Sequence, residues 1–178
     1  MKNPARRLLP SFAAICILLA GISNARAQQG TNYAVEANII YHFTKYIDWP
    51  ADKKSGDFTI GIIGDTPLYD ELKSFMANKT AGGQKIVVRK FPPSATAFNC
   101  QILFISEDGS GSFKKIATGT VGVALLLVTE TEGLARKGSC INFVLVDERL
   151  KLEINKNNIA QRNLGIASEL LQLGIPVK

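Results

Sequence analysis

The segment Tyr33–Pro50, YAVEANIIYHFTKYIDWP, decides the fold, because it is the first periodic stretch of the chain and ends just before an apolar strand. Its apolar side chains recur every three or four residues, at Ala37, Ile40, Phe43 and Ile47. This spacing predicts an amphipathic helix from Tyr33 to about Asp48. Pro50 disfavours the helical conformation at Trp49, so the helix is expected to stop there, with Trp49 packed over its end.

Residues 1–27 have the pattern of a cleaved signal peptide. Lys2, Arg6 and Arg7 precede the uncharged apolar run Phe12–Ile22, and Ala25-Arg26-Ala27 supplies the small residues that signal peptidase accepts. We predict export, with cleavage before Gln28. A membrane anchor is the weaker alternative, since a spanning helix needs about 20 apolar residues. A lipoprotein signal at Cys16 is also weak, because the apolar run continues past that residue.

Cleavage would leave one domain, residues 28–178, with little net charge. The full chain of 178 residues has 21 basic and 15 acidic side chains, and the leader holds four of the basic ones and none of the acidic ones. The mature chain therefore carries 17 basic and 15 acidic residues, a net charge of +2. Its basic residues do not form the clustered face that nucleic-acid binding requires. We expect no nucleic-acid partner.

The chain after Pro50 alternates apolar strands with short helices, which predicts an α/β domain with a mostly parallel sheet. Thr66 and Pro67 are typical of the start of a helix reaching about Lys79, and a shorter helix is expected at Phe113–Thr118. The predicted strands are Phe58–Ile63, Ile86–Lys90, Ile102–Ser106 and Val121–Val128. Ile102–Ser106 is wholly apolar and is therefore expected in the centre of the sheet.

The C-terminal part predicts a hairpin and one terminal helix. Ile141–Val146 and Lys151–Ile154 are separated by a short link, as in an antiparallel hairpin. Either Asn155 or Asn157 is expected to cap the helix that follows. The predicted apolar face of that helix contains Ile159, Leu164, Ala167, Leu170 and Leu171. Gly174 and Pro176 would end it.

Cys100 and Cys140 are the two cysteines that would remain after cleavage. Each precedes an apolar strand, and an oxidising compartment would allow them to form a disulfide if those strands are neighbours. The alternative is two buried free thiols, and the sequence leaves both open. Metal binding is not expected, because the chain has no C-x-x-C pair and a single histidine.

No combination of residues in the sequence indicates catalysis or a cofactor. His42 is the only histidine and lies among apolar neighbours without an evident partner, so we expect no enzyme activity. The Gly64-Asp65 turn lacks the remaining residues of a dinucleotide or P-loop motif. In open α/β sheets, ligands bind beyond the carboxyl ends of the strands. The candidate ligand-facing residues are accordingly Asp65, Ser106, Glu107, Thr129 and Glu130, although ordinary loop polarity is the simpler explanation.

Several segments together resemble the YfiR family of periplasmic regulators. They are YAVEANIIYHFTKYIDWP, FTIGIIGDTPLYDEL, FNCQILFIS, the G-x-x-INFV of Gly138–Val144, LEIN and the closing ASELLQLG, in the order of the family. The resemblance runs from Tyr33 to about Gly174. The loop Lys54–Asp57 and Cys140 depart from the family pattern, and this chain has cysteines for one disulfide at most.

The resemblance implies a flavodoxin-like, three-layer fold of the Rossmann type and a role in cyclic-di-GMP signalling. Proteins of this family are periplasmic homodimers that bind the periplasmic domain of an inner-membrane diguanylate cyclase and hold it inactive. An OmpA-like outer-membrane lipoprotein sequesters them and releases the cyclase, which affects biofilm formation. The resemblance implies neither a cofactor nor an active site.

Two expectations about function remain to be compared. If the chain is a repressor, the exposed edge of the final hairpin, at Lys151 and Glu153, and the opening helix are candidate interfaces, because edge strands offer unpaired backbone groups. The alternative is a periplasmic small-molecule-binding module that acts on another membrane sensor.

Overall fold

The computed structural model describes residues 32–178, and the predicted signal peptide lies outside them. Within this range the helices are α1 Tyr33–Tyr46, α2 Leu68–Met76, α3 Phe113–Gly119, α4 Lys156–Ala160 and α5 Ser168–Leu173. The strands are β1 Ile47–Asp48, β2 Phe58–Ile63, β3 Thr80–Ala81, β4 Gln84–Lys90, β5 Ile102–Ile105, β6 Leu126–Thr129, β7 Ile141–Val146, β8 Arg149–Ile154, β9 Gly165–Ile166 and β10 Ile175–Pro176.

Helix α1 forms where the periodicity predicts it. The Asn32 side chain caps its first turn by accepting a hydrogen bond from Val35 N at 3.3 Å. The buried stripe continues to Phe43, whose ring lies 6.3 Å from that of Phe143 on the sheet. The helix ends at Tyr46, two residues before the predicted end. Trp49 is buried and packs edge-to-face on Phe58 of β2.

Eight strands form one mixed sheet in the order β10-β8-β7-β6-β5-β2-β4-β3. The five central strands, from β7 to β4, are parallel, β8 pairs antiparallel with β7, β3 pairs antiparallel with β4, and β10 pairs parallel with β8. Strands β2, β5 and β6 are buried along their whole length, as expected for strands covered on both faces. The predicted mixed α/β domain with a mostly parallel sheet is therefore confirmed.

The hairpin β7–β8 is also confirmed, with six residue pairs from Ile141↔Ile154 to Val146↔Arg149. Asp147 and Glu148 form its two-residue turn with φ values of 50° and 60°. Positive φ at both central residues is the geometry of the turns that best fit twisted hairpins. Strand β8 begins at Arg149, two residues earlier than predicted.

Strand β6 is shorter than the sequence predicts, because it begins at Leu126 rather than Val121. Gly122 has φ 78° and its N–H donates to Gln161 O at 2.9 Å, which holds residues before the strand in a turn. Val121 and Val123 are consequently exposed. A run of β-branched residues favours a strand, but the tertiary hydrogen bond and the glycine conformation decide the boundary.

The single terminal helix predicted after β8 is wrong. The segment forms two short helices, α4 and α5, because Asn163 takes a left-handed conformation with φ 56°. Between the helices, β9 pairs with β1 next to the end of α1. Asn155 rather than Asn157 is the N-cap, since its side chain accepts from Asn158 N at 3.1 Å. After α5, β10 pairs with the last two residues of β8.

Candidate functional site

The carboxyl ends of β2 and β5, where the sequence predicts a ligand crevice, are closed by their own packing. The loop after β5 lies directly on Gly64, so that a Cβ added there would overlap Ser106 Oγ and Gly109 N. Ser106 is buried, and its hydroxyl accepts from Gly109 N at 3.3 Å. This close approach leaves the predicted ligand-facing Ser106 without access to solvent.

Asp65 is the exposed member of this edge. Its N–H donates to Asp108 Oδ2 at 2.8 Å, and its carboxylate lies 3.2 Å from Lys90 Nζ. The ion pair is exposed on both sides, and such pairs contribute little to stability. Asp65 therefore remains accessible, but its carboxylate is already paired with Lys90.

Glu107 and Glu130 meet at the ends of β5 and β6. Glu107 N donates to Glu130 Oε1 at 2.9 Å, so Glu130 caps the neighbouring loop. Partial burial raises the pKa of Glu130, and this backbone hydrogen bond opposes the rise. The structure thus brings the two candidate residues together, and their hydrogen bond links the loop after β5 to the loop after β6.

Glu36, on α1, is the residue at this edge that the sequence reasoning missed. It is 1% exposed, and neither of its carboxylate oxygens has a hydrogen-bond partner among the described residues. Burial raises its pKa to about 8, and the nearby Glu130 carboxylate adds to the rise. The available signal was its spacing: Glu36 precedes Ile40 by four residues and so lies on the apolar stripe of the helix.

Thr129 belongs to a buried polar row that crosses three strands. Its hydroxyl donates to Asn142 Oδ1 at 2.6 Å, and Asn142 Nδ2 donates to Glu153 Oε2 at 3.1 Å. Ser139 Oγ lies 2.9 Å from the Thr129 hydroxyl. Buried polar side chains that satisfy one another in this way fix strand register. Thr129 faces this row and has no exposed surface for a ligand.

The two predicted interface residues differ in their surroundings. Lys151 is exposed on β8, whereas the Glu153 side chain is 14% exposed, hydrogen-bonded to Asn142 and 3.9 Å from Arg136. Strand β10 also covers the backbone at Glu153. The part of the β8 edge that β10 does not pair with is therefore Arg149–Leu152. Next to it, Leu145 and Val146 expose 64% and 39% of their surfaces at the hairpin tip.

Cys100 and Cys140 are both buried and free, so the structure contains the alternative to the disulfide. They precede β5 and β7, and β6 lies between those two strands. Neighbouring strands are about 4.8 Å apart, so two cysteines separated by a strand exceed the usual bridging range. Burial raises the pKa of the Cys100 thiol to about 12 and also raises that of Cys140.

No chemistry of the catalytic or metal-binding kind is evident in residues 32–178. No group of three or more potential metal-ligating His, Cys, Asp or Glu side chains occurs there. His42 stacks on Tyr46, with ring centroids 6.0 Å apart, and has no hydrogen bond to an acid or a nucleophile in the same range. The helices described are also too short or too polar to cross a membrane.

A comparison with protein-family models finds a match for this chain. No curated protein sequence matches the chain significantly. The family model described as YfiR/HmsC-like matches residues 33–175, from the first residue of α1 to the first residue of β10. This range is most of the chain and contains every helix of residues 32–178 and all of the eight-stranded sheet except Pro176. The protein therefore belongs to the YfiR/HmsC-like family.

Proposed function

We propose that the protein is a non-enzymatic periplasmic regulator that binds the periplasmic sensor domain of an inner-membrane diguanylate cyclase and represses it. The observation that carries the proposal is the family match over residues 33–175. Export by a signal peptide cleaved before Gln28 is part of the proposal. A flavodoxin-like, three-layer arrangement is also part of the proposal. The five central parallel strands lie in the order β4-β2-β5-β6-β7, which is the order 2-1-3-4-5 when these five are numbered along the chain. This is the strand order of flavodoxin-like folds and supports the arrangement.

The mechanism is a shift in population between two states of the cyclase. A repressor lowers activity only if it binds the inactive conformation more tightly than the active one. An OmpA-like lipoprotein of the outer membrane would compete for the repressor and release the cyclase. The repressor itself would act as a homodimer.

We place the partner-binding surface at the tip and open edge of the β7–β8 hairpin. Leu145 and Val146 are large apolar side chains exposed at the hairpin tip, one on each face because they are consecutive in β7. On the side away from β7, the backbone of Arg149–Leu152 lacks a paired strand in the described sheet. Edge backbone groups and adjacent apolar side chains are the features that added strands use for recognition. Lys151 is retained as an interface candidate, whereas Glu153 is occupied within the protein.

The test measures cellular cyclic-di-GMP in a strain that lacks the gene. We expect deletion to raise cyclic-di-GMP and the wild-type gene to restore it. Val146→Lys should fail to restore it, because a charge at the tip opposes apolar docking. Val123→Lys is the matched control: Val123 is 40% exposed against 39% for Val146, but it lies before β6, away from the hairpin.

The outcomes separate the function from the surface. Unchanged cyclic-di-GMP on deletion, in cells that express the protein, would contradict repression of a cyclase. Full restoration by Val146→Lys would contradict the hairpin as the docking surface. Both variants must be present at wild-type amounts in the periplasm for the comparison to hold.

The alternative, a periplasmic small-molecule-binding module acting on another membrane sensor, receives less support at its predicted site. Ser106 and Thr129 are buried, and Glu107 and Glu130 brace each other. A ligand at this edge would have to displace the loop that packs on Gly64.

A further inference from the structure

A cleft of about 330 Å³ lies at a place that the sequence analysis did not single out. Residues from α3, from the 3-10 helix Leu134–Lys137 and from α4 form its walls. Three of the lining residues are cations, Arg136, Lys137 and Arg162, and no acidic residue lines it. Because the mature chain is nearly neutral, three cations around one small cleft form a local positive potential.

Arg162 provides the deepest of these charges. Its side chain is 1% exposed, with Nη1 donating to Asn158 O at 3.1 Å and Nη2 to Ala117 O at 3.2 Å. These carbonyls lie near the ends of α4 and α3, where helix dipoles favour a cation. Nε has no acceptor, and no carboxylate of residues 32–178 pairs with Arg162. A buried charge without a counterion is costly, which makes an anion in the adjoining cleft favourable.

Cys140 does not provide that counterion. Its thiol lies beside the Arg162 guanidinium, which favours the thiolate, but burial outweighs this effect and raises the pKa of Cys140. The thiol therefore stays neutral and leaves the charge of Arg162 uncompensated.

Arg136 and Lys137 are the cations at the surface. The Arg136 side chain is 67% exposed and its nearest acid, Glu153, is 3.9 Å away, while Lys137 takes part in no ion pair within the described part of the chain. Long exposed side chains of this kind can turn onto a ligand with little cost to the fold. The cleft thus has one fixed charge in its wall and two adjustable charges at its mouth.

We infer that this cleft binds a small phosphomonoester. A phosphate group carries a charge of about −1.5 to −2 at neutral pH, which matches three lining cations better than a single carboxylate does. The volume is at the lower end of ligand pockets, about 300–1,000 Å³, and so suits a small molecule. Val121 and Ala117, also in the lining, offer apolar contact for its carbon skeleton. This inference goes beyond the proposed function, because it concerns the binding of a small molecule and not the binding of a protein partner.

The experiment titrates the purified protein with glycerol 3-phosphate, inorganic phosphate and succinate by isothermal titration calorimetry at low salt. We expect one saturable site for glycerol 3-phosphate, with weaker binding of inorganic phosphate and of succinate. Replacing both surface cations, Arg136→Gln with Lys137→Gln, should weaken glycerol 3-phosphate binding at least about tenfold, the effect of losing a charge-assisted hydrogen bond.

The control variant removes the same charge elsewhere. Lys85→Gln with Arg89→Gln changes two exposed residues of β4, near the opposite edge of the sheet, and should bind as the wild type does. Equal weakening in both double variants would show a general charge effect and overturn the site. Absence of saturable binding by the wild type would overturn the inference, and tighter binding of succinate would overturn the phosphate class. Circular dichroism must show that both variants are folded.

Discussion

At the scale of single residues, Glu36 is the side chain whose environment conflicts most with its chemistry. It lies in the first turn of α1, where a helix dipole favours a negative charge, yet burial raises its pKa to about 8. Desolvation therefore outweighs the dipole, and the folded protein holds Glu36 as a neutral acid over most of the physiological range.

We predict that the stability of the protein falls as pH rises from about 4.5 to about 8, because the folded state keeps the Glu36 proton that the unfolded chain releases near the ordinary glutamate pKa of 4.5. The stabilisation is complete below pH 4.5, decreases by up to about 1.4 kcal/mol per pH unit within this window, and is absent above it. Urea unfolding at several pH values measures the effect.

Glu36→Gln should remove most of this pH dependence, since the amide is neutral at every pH. Glu169→Gln is the matched control, because Glu169 lies in the first turn of α5 but is exposed. A pH dependence that persists in Glu36→Gln and matches the wild type would contradict the assignment to this carboxyl group.

At the scale of elements, the connections after β2 and β5 determine what the sheet can bind. The loop after β5 turns back so closely that Gly109, like Gly64, has no room for a Cβ, which would lie 2.7 Å from Ile63 O. Two glycines therefore allow two loops to pack where other open α/β sheets leave a crevice. The two loops therefore fill the space at this edge of the sheet in which a ligand would bind.

We predict that Gly64→Ala destabilises the protein by about 1–3 kcal/mol more than Gly82→Ala, because it adds overpacking to backbone strain. Both glycines have positive φ, 86° and 56°, but a Cβ at Gly82 meets nothing within 4 Å. The Gly82 variant thus measures the cost of the left-handed conformation alone, about 1–2 kcal/mol. Chemical denaturation of the two variants gives the difference. Equal losses of unfolding free energy in the two variants would mean that the loop after β5 can move to accommodate a Cβ at residue 64.

At the scale of the whole molecule, local patterns predict the elements but not their endings or their neighbours. Helix α1, strand β2 and the β7–β8 hairpin follow from periodicity and turn chemistry, which depend on residues close in sequence. The break at Asn163 depends on the pairing of β9 with β1, more than a hundred residues away, and no local pattern in the sequence indicates it.

In the candidate site, too, the local sequence predicts some features, whereas others depend on contacts between distant segments. The sequence places Glu107 and Glu130 at the carboxyl ends of predicted strands, and the structure joins the two residues by a hydrogen bond. Sequence reasoning cannot predict that Ser106 is buried against Gly64, or that Arg162 reaches the ends of both α3 and α4. These facts depend on how distant segments fill the remaining space. The cleft at Arg162 is a product of that packing.

We predict that residues 32–178 unfold as one cooperative unit, since the buried apolar residues form a single cluster that includes α1 and the sheet. Phe43→Ala should lower the free energy of unfolding by about 3–5 kcal/mol while leaving one transition. Fluorescence of Trp49, the only tryptophan, and far-ultraviolet circular dichroism should report the same midpoint.

Val35→Ala provides the matched control for Phe43→Ala, because Val35 is on the same helix but 42% exposed, and its change should cost little. Two separate midpoints in the Phe43 variant would show that α1 detaches before the sheet unfolds.

Strand β10 pairs with only two residues of β8, and this affects the lifetime of any complex that forms at the hairpin. With Glu153 and Ile154 already paired, an incoming strand can use the backbone of only four residues of β8, Arg149–Leu152. So few hydrogen bonds give a fast dissociation rate, and the exposed side chains at the hairpin tip must supply the rest of the residence time. The proposed exchange between two competing partners requires such an attachment, and β10 limits the free edge by pairing with two of the six residues of β8.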